Sequence, residues 1–280
     1  MNSSLILDQP GFVVANARVL AAASQAAYGA EIYSEPPHVG GYANKMTGTH
    51  VVVTTYDDCT VVAFRGTASL RDWITDAEFP LRPLPGSAAR VHEGFLTAID
   101  SILPDLVSCL VPPHAPCPAP RALLPIVLTG HSLGGALAVL AAWFLQRQGR
   151  LVHSVYTFGQ PRVGDRTFAA LYESLLGART FRVVNRNDLV PRVPGVLLGY
   201  RHAGELALIN AVGELVLNPS LAGRLVSDAL GLYRAYRRLD DVLVTDHFMG
   251  GYLQAMAAAK APNANLQSPM KLQAPNSNAV

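Results

Sequence analysis

The sequence predicts an α/β fold, with a mostly parallel central sheet and helices on both faces. Three observations predict it. Short β-branched or apolar runs recur at His50–Tyr56, Thr60–Phe64, Ile126–Thr129, Ser154–Phe158 and Thr180–Val184. Stretches with apolar residues at helical spacing alternate with them, at Val13–Ala27, Val91–Val107, Leu133–Gln148 and Thr167–Leu176. Apolar strands that alternate with helices need cover on both sides, which is the parallel-sheet arrangement. The length, 280 residues, suits one such domain with a sizeable core.

The elements follow in order. Val13–Ala27 reads as an amphipathic helix rather than a signal peptide. The first 29 residues have no basic start, Asp8 interrupts them, and Arg18 lies inside their apolar part. The first two strands are joined by Asp57-Asp58-Cys59. The stretch from Val111 to Pro120 is proline-rich and reads as a surface loop. Ala122–Leu145 is the longest greasy stretch, but Pro125, Gly130, His131, Ser132, Gly134 and Gly135 argue against a membrane span. The helix from Leu133 ends near Gly149. A later helix is expected over Leu221–Arg238, with basic residues at the end where the helix dipole favours them. Residues 1–262 are expected to form a single domain, and residues 263–280, rich in Asn, Pro, Gln and Ser, a disordered tail.

Charge and cysteines narrow the function classes. There are 22 basic and 20 acidic residues, a formal net charge of +2, and no basic block with interleaved aromatics. Nucleic acid is therefore not an expected partner. Cys59, Cys109 and Cys117 allow one disulfide, and Cys109 and Cys117, flanking the proline-rich stretch, are the candidate pair. No Cys/His cluster has metal-ligand spacing, so no metal is expected. The few cysteines and the unmarked N-terminus lean towards a cytoplasmic setting.

The chemistry is carried by Leu128-Thr129-Gly130-His131-Ser132-Leu133-Gly134-Gly135-Ala136. Its Gly-x-Ser-x-Gly core lies between a predicted strand and a predicted helix, the setting of a nucleophile elbow. A tight turn lifts the serine hydroxyl above the sheet, and side chains two residues away on either side would collide. A hydroxyl is a poor nucleophile until a base takes its proton. Chains with such an elbow place acid and base after it, in that order. His247 follows the apolar run Val242–Thr245 and precedes Gly250-Gly251-Tyr252, so it is the candidate base, with His202 as alternative. His131, next to the serine on a sharp turn, is expected to point elsewhere. Asp188, just past the strand Thr180–Val184, is the candidate acid, against Asp165, Asp228, Asp240, Asp241 and Asp246.

Further segments accompany the elbow. They are Phe64-Arg65-Gly66-Thr67, Asp72-Trp73-Ile74-x-Asp76, Val91-His92-x-Gly94-Phe95 and Thr157 to Gly164. Together with the Asp188 and His247 segments they resemble the class 3 lipase family of fungal-lipase-like α/β-hydrolases, in family order from about position 50 to 252. The resemblance implies an α/β-hydrolase fold and an oxyanion hole made by Thr67 and the backbone N–H of Leu133. It implies a lid over Ala68–Phe79, whose Leu70, Trp73 and Ile74 share one helical face. A helix simply packed in the core would show the same face. Gln160, Pro161, Arg162 and Gly164 would support the site from a neighbouring loop.

The expected activity is serine ester hydrolysis on a triacylglycerol or other carboxylic ester, with Ser132, Asp188 and His247 as triad and no cofactor. The expected partners are a lipid or other ester substrate and, transiently, a lipid–water interface. Phospholipase A1 or polar-lipid acyl hydrolysis and feruloyl-type esterase activity are the alternatives within the class. A non-catalytic binding protein of the same fold is disfavoured because all three triad residues are present in order.

Overall fold

The computed structural model describes residues 3–29, 39–44, 47–67, 80–110, 124–186, 188–210, 212–220 and 246–259. Expectations for the lid residues Leu70, Trp73 and Ile74, for Cys117, for the helix over 221–238 and for the tail fall outside these residues.

Among the described residues the chain runs as follows. Helix α1 (Val14–Gly29) precedes strands β1 (Val39–Asn44), β2 (Thr49–Thr55) and β3 (Thr60–Phe64). Then come β4 (Leu81–Pro83), β5 (Arg90–His92), α2 (Glu93–Asp100) and α3 (Leu103–Cys109). The central part is β6 (Ile126–His131), α4 (Leu133–Arg147), β7 (Val152–Phe158), β8 (Gly164–Asp165), α5 (Arg166–Leu176) and β9 (Thr180–Asn185). It ends with β10 (Tyr200–Arg201), β11 (Glu205–Ile209), β12 (Leu215–Leu217) and α6 (Met249–Ala258).

Eight strands form one sheet in the order β1-β2-β3-β6-β7-β9-β11-β12. The five from β3 to β11 are parallel, and antiparallel neighbours flank them on both sides. A small antiparallel sheet, β10-β8-β5-β4, stands apart. Successive strand residues face opposite cores. Val62, Phe64, Leu128 and Val155 pack with Phe95 and Ile99 of α2 and with Leu137, Leu140 and Trp143 of α4. Val61, Val127, Tyr156 and Phe158 pack with Leu20 of α1 and with Tyr252 and Met256 of α6. Burial on both faces is why β3 and β6 read as unbroken apolar runs rather than alternating ones. The fold is therefore the α/β arrangement with a mostly parallel sheet.

One expectation changes. The helix expected over Val91–Val107 is a strand followed by two helices. Val91 pairs with Arg82 and Gly164, which makes it part of the small sheet. The helix then stops near Ser101, because Pro104, in the first turn of α3, has no N–H to continue the ladder. Further along, the chain returns to the main sheet as β11. Leu206 to Ile209 are buried there against β9.

Candidate active site

Four parallel strands deliver their C-terminal ends to one edge. Phe64 at the end of β3 is in register with Gly130 of β6, His131 with Phe158 of β7, and Phe158 with Val183 of β9. The residues just past these ends are therefore neighbours: Thr67, Ser132, Gly159 and Asp188. Sites in open α/β sheets form at this edge.

Ser132 occupies the turn between β6 and α4 with φ 55° and ψ −127°, a positive φ that a non-glycine residue rarely holds. Such a backbone costs about 1–3 kcal/mol and persists only where its surroundings enforce it. Two backbone bonds do so: Ser132 N–H donates to Phe158 O at 2.8 Å, and Gly135 N–H donates to Ser132 O at 2.9 Å. Tight packing completes the clamp. A Cβ at Gly134 would collide with the carbonyl oxygen of Phe64, and one at Gly130 would collide with Gly134 itself. The end of β3 thus lies directly on the start of α4. Thr67 and the N–H of Leu133, which as the first helical residue has no intrahelical acceptor, are brought to the same edge.

The candidate acid and base form a buried pair. His247 Nδ1 donates to Asp188 Oδ2 at 2.8 Å and Oδ1 at 2.9 Å. Both residues are nearly closed to water, at 2% and 1% exposure. With its Nδ1 proton committed, His247 keeps its lone pair on Nε2. Among the described residues that atom is buried without a hydrogen-bond partner. Asp188 has two further donors, Val190 N–H at 2.9 Å and the Tyr252 hydroxyl at 2.6 Å. Burial first, and then the Asp188 carboxylate, push the Tyr252 phenol well above its ordinary value, so it stays a donor. The phenol oxygen also accepts the Asn185 N–H at 3.0 Å, and the Asn185 side chain donates to Asp246 O at 3.0 Å. The end of β9 is thereby stitched to the segment that carries His247. Gly159 fits against the pair with φ +59°. A Cβ there would sit 2.7 Å from Asp188 Oδ2 and 3.0 Å from His247 Cε1.

A second histidine supports the first. His131 lies against His247, with ring centroids 4.6 Å apart. Its Nε2 is 2.7 Å from the carbonyl oxygen of His247 and its Nδ1 2.8 Å from the Tyr28 hydroxyl. A carbonyl only accepts, so Nε2 carries the proton, Nδ1 accepts, and Tyr28 donates. Burial, and then His247, lower the His131 pKa to about 3, so the ring is neutral. Burial raises Tyr28 to about 12, and Gly66 also hydrogen-bonds its phenol. The chain Gly66–Tyr28–His131–His247 thus joins the Thr67 loop to the candidate base.

The structure brings Ser132, Asp188 and His247 to one edge, with Leu133 following the serine and Gly66, the neighbour of Thr67, packed against the His131 carbonyl. His202 lies elsewhere, its Nε2 bonded to Pro191 O at 2.7 Å. Asp246 turns to Arg186, 3.8 Å away. Gln160, from the expected supporting loop, is buried behind the elbow and accepts the Thr157 hydroxyl at 2.8 Å. His131 points away from the serine, as expected, but sequence reasoning missed its contact with the candidate base, and missed Tyr252 and Tyr28. The one signal for Tyr252 was its place five residues beyond His247, in the helix that follows; Tyr28 had none.

The chain is similar to known lipases and phospholipases. The family model described as Lipase (class 3) matches residues 61–198. The lipase of Rhizomucor miehei is 41% identical over 149 residues, 51% of this chain and 40% of that protein. The chloroplastic phospholipase A1-Igamma2 of Arabidopsis thaliana is 31% identical over 223 residues, 69% of this chain and 38% of that protein. The chain thus spans less than half the length of these two relatives. The structure of lipase II from Rhizopus niveus superposes with a TM-score of 0.59 at 30% identity, over 71% of this chain and 83% of that one. The strand order, the elbow and these likenesses together mean that the chain belongs to the class 3 lipase family.

Proposed function

We propose that this protein is a serine carboxylic-ester hydrolase acting on lipid esters. The observation that carries the reading is the His247–Asp188 pair, which holds its unpartnered Nε2 at the edge where the strained Ser132 stands. Ser132 Oγ attacks the ester carbonyl as His247 Nε2 takes its proton. Asp188 stabilises the imidazolium, and the Leu133 N–H with Thr67 stabilises the oxyanion. His247 then gives the proton to the departing alcohol oxygen. Water, deprotonated by His247, releases the acid from Ser132. Catalytic hydrogen bonds often tighten only with substrate bound, so the absent partner of Nε2 fits a resting state.

Beside the acid and base stand Leu189 and Phe248, 39% and 58% exposed. Such a rim suits an acyl chain better than a small polar acid. A phospholipid substrate is the second reading, favoured by the likeness to a plant phospholipase A1. The test is hydrolysis of p-nitrophenyl esters from acetate to palmitate, beside assays of fatty-acid release from phosphatidylcholine. Ser132→Ala should lower turnover on the order of 10⁶-fold. Activity surviving that substitution would overturn the assignment.

A further inference from the structure

Val196, Leu197 and Leu198 form one turn and are 47%, 98% and 55% exposed. Single exposed apolar residues are ordinary, but a contiguous patch marks a contact surface. The turn is firmly mounted. Leu198 N–H donates to Gly195 O at 3.0 Å and Gly199 N–H to Val196 O at 3.1 Å. Arg201 Nη1 donates to Val196 O at 2.9 Å and Tyr200 O at 2.7 Å. Arg162 fixes the approach, with Nη1 donating to Pro194 O at 2.9 Å and to Arg192 O. Beyond the turn, Tyr200 and Arg201 pair with Asp165 and Gly164. The backbone is held so that the three side chains project and do not fold back.

The mount is also basic. Burial first, and then the nearby charges of Arg201 and Arg192, hold the Arg162 guanidinium below its ordinary value. Among the described residues neither Arg162 nor Arg201 forms an ion pair with a carboxylate. Asp165, which pairs with Tyr200 across these strands, is engaged in accepting the N–H groups of Arg90 and Phe168. An apolar tip beside clustered guanidinium groups matches a bilayer with anionic headgroups. Leucines enter the acyl layer while arginines meet the phosphates.

We propose that the Val196–Leu198 turn, with Arg201 beside it, docks this protein on an anionic phospholipid bilayer. The turn lies on the connection that leads away from Asp188, so docking keeps the candidate site close to the layer that carries the esters. The inference rests on the lipid-ester reading for its purpose and on the turn itself for its geometry.

The test uses the full chain carrying Ser132→Ala, so that lipid is not consumed. It is sedimented with vesicles of phosphatidylcholine alone and of phosphatidylcholine mixed with phosphatidylglycerol. Binding should favour the mixed vesicles and fall with added salt. Leu197→Ser with Leu198→Ser should weaken it about tenfold or more. With Ser132 intact, the double-serine variant should hydrolyse a soluble ester within about twofold of the parent, as surface changes do. Equal binding to both vesicle types, no binding, or undiminished binding by the double-serine variant overturns the proposal. So does sedimentation without vesicles that the serines abolish, which would make the turn a contact between copies. Vesicle binding without esterase activity would sink the hydrolase reading and leave docking intact. Esterase activity without vesicle binding would do the reverse.

Discussion

Tyr252→Phe removes one oxygen from the centre of the site. That oxygen donates to Asp188 Oδ2 at 2.6 Å and accepts the Asn185 N–H at 3.0 Å, and the ring is fully buried. The substitution deletes a hydrogen bond to a charged group, a loss of about 1.5–3 kcal/mol. It also orphans a buried backbone N–H, a further cost of about 1–3 kcal/mol. Partial relaxation reduces the sum, so a stability loss of about 3 kcal/mol is expected in denaturant unfolding. Catalysis should respond separately. Asp188 keeps Val190 N–H and His247, so the pair survives with one donor fewer. A carboxylate less neutralised by donors stabilises the imidazolium more, so the acid limb of kcat/KM against pH should move to higher pH. The looser carboxylate should lower kcat about tenfold. The assay is hydrolysis of a soluble ester across pH, beside unfolding of the same preparation. A variant with parental stability and an unmoved acid limb would refute the idea that the phenol acts on Asp188. A stability loss with an unmoved limb would reduce Tyr252 to a packing role.

Two other outcomes follow from the same contacts. Gly159→Ala puts a methyl group 2.7 Å from Asp188 Oδ2 and 3.0 Å from His247 Cε1, at φ +59°. It should cut kcat about 100-fold or more, since an ångström of misplacement has that effect, and near-parental kcat would mean the pair tolerates separation. Acid stability should depend on two buried histidines, His131 held at about 3 and His92 at about 4, both chiefly by burial. Their folded pKa values lie below the ordinary 6.5, so below that pH the unfolded chain binds protons that the folded one refuses. Their neutral forms therefore favour folding fully above about pH 6.5, and that advantage shrinks as pH falls, by about 1.4 kcal/mol per unit for each residue. His131→Gln should roughly halve this slope in unfolding experiments between pH 6.5 and 5. An unchanged slope would show that His131 already binds a proton in the folded protein.

The elbow was legible because its constraints are local. Strand, glycine, serine, glycine and helix lie in one short window, and the backbone of Ser132 follows from them. Asp188 and His247 were legible by position after a strand and by chain order. Strands β10, β11 and β12 were not, because they are short and gain their hydrogen bonds from distant partners. β11 exists as a strand because β9 lies beside it. The break at Pro104 was present in the sequence, but the apolar spacing across Val91–Val107 masked it.

What the sequence determined by itself was therefore the alternation of strands and helices, the strained serine and the identities of the groups fit to act as acid and base. Only the tertiary structure decided how that acid and base are held. Tyr28 and His131 are 103 positions apart, His131 and His247 116, and Tyr252 and Asp188 64. Each of these bonds depends on which strands are neighbours and which face a helix covers. A hydroxyl or imidazole has the same chemistry wherever it lies in the chain; sheet order and burial gave these groups their partners and their protonation states.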